Sequence, residues 1–259
     1  IIKQGRVEGQ IYHNLKSRLN PLRDILQKLK SANPKRFDLD AFIRLFSDNP
    51  HLRRSIDKAY EIIVYALFDT LTKHLNATIT LSVDKLQLSL LSDFERFSSL
   101  VLGIDAKRLS IRQPARLFRF GATNAADTGL DIWANFGPAI QIKHISLNEA
   151  MIADVKQNIS ADKIVIVCKT AEKEIISRVV RQLGIKERIR GFITEADLVE
   201  WYGIATSRKY HNTIGKDALS ALLNEYKNEF PLAISSEINA FISERKYTPP
   251  PTNCIWRIQ

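Results

Sequence analysis

Asp131, Gln141 and Lys143 are the residues whose types and spacing are best suited to chemistry. They lie in Gly129-Leu130-Asp131-Ile132-Trp133 and Ile140-Gln141-Ile142-Lys143, two strand-like runs joined by Asn135-Phe136-Gly137-Pro138, a hairpin-loop composition. Side chains alternate along a strand, so Asp131 and Trp133 share one face, and Gln141 and Lys143 share one face of the neighbouring strand. A turn centred near Phe136 then sets Asp131 opposite Gln141, within a residue or so of register. A carboxylate, an amide oxygen and an ammonium converge. Breaking a phosphodiester at neutral pH asks for a hard cation held by oxygen ligands, to bind phosphate and activate water. It also asks for a positive donor near the nucleophile or the developing phosphorane charge, which Lys143 can supply. The solvent face of an ordinary hairpin satisfies the same spacing. Two features favour a cleft: apolar residues flank the polar ones tightly on both strands, and Glu61 sits between Tyr60 and Ile62 in a run apolar on nearly every side. A buried carboxylate is costly unless it is paired or meets a metal. For Glu61 both a metal-linked role and a structural ion pair with an arginine remain open.

Arg108, Arg112, Arg116 and Arg119 precede this hairpin in KRLSIRQPARLFRFGATN. If the segment is helical, spacings of four and three put several guanidiniums on one face, although Pro114 interrupts a helix. Such a patch suits phosphates and guanine edges; a solvated basic face is the alternative. Arg208-Lys209-Tyr210-His211-Asn212 forms a second basic loop between helices, with a plain surface loop as its alternative. His144 either supports Lys143 or is structural. No Gly-rich phosphate loop, zinc spacing or Ser-His-Asp arrangement is visible.

The elements that must position these groups are legible from periodicity. Residues 5–30 read as a helix through Ile11, Leu15, Leu19, Leu22, Leu26 and Leu29, stopped by Asn33-Pro34. Asp38 can cap a second, short helix carrying Phe42, Ile43 and Phe46. Residues 53–75 are apolar almost all round, which predicts a helix packed deep in the protein. Ala77 to Val83 alternates as a strand, and Leu90 to Leu102 returns to an amphipathic helix. After the hairpin, Ser146 and Glu149 form a capping box for a helix to about Asn158. Lys163 to Lys169 is a buried strand, Thr170 caps a helix ending at Gly184, Arg190 to Ile193 is a further strand, and 195–245 is mostly helical. This order predicts an α/β fold with a mixed rather than purely parallel sheet. We divide the chain into a helical segment at 1–50, a core at 51–205 and a helical C-terminal extension at 206–259.

Composition sets the outer limits. Hydrophobic residues at 45% and charged residues at 25% exclude a mainly disordered or collagen-like chain. No apolar run is long enough to span a membrane. Cys168 and Cys254 offer neither metal spacing nor a disulfide framework, which fits a reducing cytoplasm. Lys and Arg number 38 against 28 Asp and Glu, a net charge of +10 that favours a polyanionic partner. The start at Ile1-Ile2-Lys3, with Met151 the only methionine, leads us to expect that an N-terminal segment lies outside this sequence.

The hairpin resembles the PD-(D/E)XK nuclease motif, and the chain is similar to the HaeII family of restriction endonucleases. The residues that carry the likeness are RRSIDKAYEIIVYALF at 53–68, GATNAADTGLDIWANFGPAIQIKHISL at 121–147 and ISADKIVIVCK at 159–169. The resemblance implies a type II enzyme with a PD-(D/E)XK-like core, making double-strand cuts in a short palindrome centred on GCGC. It implies Mg²⁺ held by Asp131, Gln141 and the Ile142 carbonyl with Glu61 nearby, and Lys143 orienting the attacking water. Gln141 stands where the motif usually has an acid, which removes a charge from the metal site. Arg108, Arg112, Arg116, Arg119, Asn124, Lys209 and His211 are the expected DNA contacts. The expected partner is double-stranded DNA, met by a homodimer in the bacterial cytoplasm. A structure-directed repair or recombination nuclease and an inactive DNA-binding module are the alternatives.

Overall fold

A computed structural model of the chain describes residues 6–120, 130–144, 146, 163–170 and 189–235, together with 237, 240, 241 and 244. The expected helices at 146–158 and 170–184, the candidate Asn124, and the tail from 245 lie outside the described residues, apart from Ser146 and Thr170 themselves.

The long apolar helix is α3, Ile56–His74, preceded by α1, Arg6–Lys30, and α2, Leu39–Ser47. Asp38 caps α2 as its position suggested, its Oδ1 accepting the Ala41 N–H at 3.1 Å. Helix α3 is buried on nearly every side: Ile62, Ile63, Val64, Ala66 and Leu67 are fully enclosed. Each large aliphatic side chain hidden in this way contributes about 1.5–3 kcal/mol. One hydrophobic cluster runs from Ile25 on α1 to Ala233 near the C-terminus and takes in both α3 and the main sheet.

That sheet has five strands in sequence order: β3 (Leu117–Arg119), β4 (Ile132–Ala134), β5 (Pro138–Lys143), β6 (Lys163–Cys168) and β7 (Ile189–Thr194). The pairs β3/β4 and β4/β5 are antiparallel, while β5/β6 and β6/β7 are parallel. The mixed sheet is therefore present. Among the described residues it is followed by the helices α6 (Glu195–Ala205), α7 (Lys216–Glu229) and α8 (Pro231–Ile234). A capping box, in which Thr194 accepts the Asp197 N–H and Asp197 accepts the Thr194 N–H, starts α6.

Two expectations need correction. The arginine-rich stretch is not helical: Ser110–Pro114 is a strand, β2, pairing antiparallel with β1 (Thr78–Ser82), and the chain then enters β3. Pro114, which has no N–H for a helix, sits at the strand end. Nor is Leu90 to Leu102 one amphipathic helix. It breaks into α4 (Leu88–Asp93), the single turn α5 (Glu95–Phe97) and a wide turn at Ser98–Leu102 ended by Gly103, whose φ of 67° suits glycine.

Candidate active site

The hairpin forms where the sequence places it. Asn135, Phe136 and Gly137 make the turn; Gly137 adopts a φ of 112°, a region that L side chains avoid, and donates its N–H to the Ala134 carbonyl at 3.0 Å. Ile132 pairs with Ile140 and Trp133 with Ala139, so Asp131 continues the register opposite Gln141. Strand β4 begins at Ile132, leaving the Ile142 N–H of β5 beyond the ladder. The Asp131 carboxylate takes that N–H, Oδ2 accepting it at 2.6 Å, while the Asp131 carbonyl accepts the Phe120 N–H at 3.0 Å. The Asp131 side chain is thus tied to β5 and its backbone to the end of β3.

Burial pushes the Asp131 carboxyl up to about 6; the nearby Glu61 charge adds to this, and the Ile142 hydrogen bond and Lys143 oppose it. Gln141 is only 2% exposed, and its Oε1 is buried without any hydrogen-bond partner. An unpaired amide oxygen of this kind costs about 1–3 kcal/mol. Lys143 lies two residues further along the same face, partly exposed at the end of β5. His144 follows it, its ring 5.2 Å from that of Tyr60 and its Nδ1 3.8 Å from Asp57 Oδ1; burial lowers its affinity for a proton.

Glu61 is buried on α3 and does form an ion pair with an arginine. Its carboxylate accepts from Lys58 Nζ at 2.8 and 3.0 Å and lies 3.5 Å from Arg119 Nη1. Arg119 also donates to Glu225 Oε2 at 2.9 Å and Glu229 Oε2 at 2.7 Å, both on α7. Burial outweighs both cations at Glu61 and raises its pKa above the ordinary value. With Asp131, this neighbourhood holds more carboxylates than cations, and including Lys143 narrows the excess without removing it.

Among the described residues no group of three His, Cys, Asp or Glu side chains is placed to hold a metal. A cation here would therefore draw on an amide and a backbone carbonyl besides Asp131. The residues fit that role: hard cations take neutral oxygens as well as carboxylates, and Gln141 Oε1 is a buried acceptor with nothing to accept.

The basic residues do not act as one set. Arg108, Arg112 and Arg116 are exposed, with Arg112 Nε donating to Thr78 Oγ1 at 3.0 Å and Arg108 to the Gly103 carbonyl at 3.0 Å. Arg119 faces inward into the glutamate network, its side chain 7% exposed. Alternation over Leu117-Phe118-Arg119 carries that signal, since Arg119 shares the face of buried Leu117. Lys209 is exposed over the Tyr210 ring, whereas His211 is buried with Nδ1 against the Ser207 and Arg208 carbonyls at 3.1 Å each. Glu225 and Glu229 escaped the sequence reading. Their four-residue spacing on a helix with buried Leu222 and Tyr226 is the clue that was available.

The class that matches this chain is that of type II restriction endonucleases. The HaeII restriction endonuclease family model covers residues 2–247. The chain is 41% identical over 243 residues to the type II restriction enzyme HaeII of Haemophilus aegyptius, covering 94% of this chain and 69% of that protein. It is 40% identical over 238 residues to the type II restriction enzyme NgoBI of Neisseria gonorrhoeae, covering 92% and 67% respectively. The chain belongs to the HaeII restriction endonuclease family, and its activity is that of a site-specific deoxyribonuclease. No solved structure matches it.

Proposed function

We propose that this restriction endonuclease cuts both strands of duplex DNA at a short palindrome centred on GCGC, from a PD-(D/E)XK-like core with its site at Asp131, Gln141 and Lys143. The observation that carries the site is the buried, unpartnered Gln141 Oε1 directly across the hairpin from Asp131. Asp131, Gln141 Oε1 and the Ile142 carbonyl would hold Mg²⁺, with Glu61 adding charge from α3. Bound there, a divalent cation supplies charge neutralisation at the scissile phosphate and makes water a better nucleophile.

The chain's own residues do the rest. The Ile142 N–H holds one Asp131 oxygen and leaves the other free to face the site. Lys143 orients a water whose oxygen forms the new bond to phosphorus, and its charge stabilises the phosphorane as it develops. The bond from phosphorus to the 3′ oxygen breaks in line, a proton passes to that oxygen, and the products carry a 5′ phosphate and a 3′ hydroxyl. Arg112 and Arg116 offer exposed guanidiniums for the DNA backbone. On this reading the enzyme meets its DNA in the bacterial cytoplasm.

The test is digestion of a sequenced plasmid with Mg²⁺ and with EDTA, using intact protein and the variants Asp131→Ala and Lys143→Ala. Discrete fragments ending at GCGC-centred sites, lost in EDTA and in both variants while duplex binding is kept, are the expected result. Cutting by either variant near the unmodified rate would move the site elsewhere.

A further inference from the structure

The excursion from β1 to β2 contributes nothing to the main hydrophobic cluster, which draws on no residue between 72 and 116. Yet it carries large apolar side chains that the chain leaves in water. Leu86, Leu90, Phe94, Phe97, Leu100 and Val101 are between 54% and 86% exposed within sixteen consecutive residues. A groove of about 450 Å³ opens between them, walled by Leu90, Phe94 and Phe97, with Leu91 at its floor. Exposed aromatic and aliphatic side chains of these sizes present on the order of 700 Å² in total. The largest apolar patch on an ordinary monomer is roughly 300–600 Å², whereas each partner of a stable dimer covers about 800 Å².

We propose that residues 78–114 form the dimerisation arm of this endonuclease, closing on the same arm of a second copy about a two-fold axis. A two-fold contact demands a self-complementary surface, and this one has both parts: a groove, and the protruding Leu86, Leu100 and Val101 to enter it. Asp93, Glu95 and Arg96 are exposed among the apolar residues and form the polar rim such an interface needs. A second copy is also what the substrate requires, an argument that rests on the duplex-cleavage reading above. The described residues hold one hairpin site, and a palindromic duplex presents two strands related by a two-fold axis.

The arm is hydrogen-bonded to the hairpin of that site. Asn135, in the turn of the catalytic hairpin, accepts the Arg116 N–H at 2.8 Å on its Oδ1 and donates from Nδ2 to the Pro114 carbonyl at 3.1 Å. The backbone adds Asn135 N–H to the Arg116 carbonyl at 3.1 Å. Pairing two arms therefore fixes the separation and orientation of two hairpins.

Sedimentation equilibrium of the whole chain, with and without a duplex oligonucleotide, gives the mass; supercoiled plasmid gives the cutting mode. The unmodified chain sediments at twice the chain mass and linearises plasmid. Leu90→Glu with Phe94→Glu, and separately Leu100→Glu with Val101→Glu, weaken self-association at least about 100-fold, as expected when anchors at an interface centre are lost. Both variants accumulate nicked circles. The second pair alters only side chains already in water, so it decides the matter if circular dichroism shows the first to be misfolded. A chain that is monomeric with and without DNA, or a folded Leu100, Val101 variant that remains dimeric, overturns the proposal. A dimer that cuts no DNA would instead remove the duplex-cleavage reading and leave the arm standing.

Discussion

Gln141 is the residue on which the metal question turns. Its neutral oxygen is buried beside a carboxylate that burial already pushes towards the protonated form, so the site is short of ligand charge while its surroundings carry carboxylates in excess. Gln141→Glu at nearly constant shape adds a carboxyl that a bound cation would hold ionised and that otherwise must stay buried unpaired or take up a proton. It should lower thermal stability in EDTA, by about 1–3 kcal/mol for an unpaired buried group, and Mg²⁺ should recover more of that loss than it adds to the unmodified chain. Differential scanning calorimetry with and without Mg²⁺ measures both; equal responses would place Gln141 away from the cation. Glu61→Gln should raise the Mg²⁺ concentration needed for cutting, and Gln141→Glu in that background should partly restore it. Cleavage rate against Mg²⁺ for both single variants and the double one tests this, because coupling is expected only between groups that share a partner. Strict additivity would leave Glu61 as the ion-pair partner of Lys58 and Arg119 and nothing more.

At the scale of elements, α7 matters more to the site than its distance in sequence suggests. Glu225 and Glu229 reach Arg119 on β3, and Arg119 reaches Glu61 on α3, so one guanidinium ties three elements together beneath the hairpin. Arg119→Ala strands these carboxylates in a buried place and should cost about 3–5 kcal/mol of stability, measured by urea denaturation. Loss of DNA affinity without loss of stability would instead make Arg119 a DNA contact. The entry to α7 is sterically fixed. A Cβ at Gly215 would lie 2.7 Å from the Ala205 carbonyl oxygen, a backbone atom at the end of α6. Gly215→Ala should therefore destabilise the fold by about 1–3 kcal/mol through overpacking, the opposite sign from an ordinary helix-start alanine. An unchanged urea midpoint would show that α6 and α7 can separate at no cost.

At the scale of the whole molecule, the net charge of +10 includes the exposed Arg108, Arg112 and Arg116 on the stretch that leads into β3. Arg112→Ala or Arg116→Ala should weaken binding of all duplexes alike and reduce the slope of log affinity against log salt by about one unit per lost phosphate contact. Fluorescence anisotropy over a salt series reads the slope, and an unchanged slope would make these arginines plain solvated charge. The described helices include none long and apolar enough to cross a membrane.

The hairpin and its register were legible in the sequence because alternation and turn composition are local properties, and the Asp131–Gln141 pairing follows from them by counting. The buried α3 was legible for the same reason, since an all-round apolar run has nowhere to go but inward. Arg119 was not separable from Arg108, Arg112 and Arg116 by residue type; alternation with Leu117 marks its face, but only the packing of β3 against α3 and α7 supplies the carboxylates that meet it. The exposed face of residues 86–101 has the same origin. The periodicity from Leu90 to Leu102 promised a helix with a buried side, but burial needs a partner, and this arm lies outside the main hydrophobic cluster. Glu61 stands between the two cases. The sequence required that a carboxylate on so apolar a helix find a partner, and tertiary structure alone decided that Lys58 and Arg119 meet it while leaving it near enough to Asp131 to be felt there.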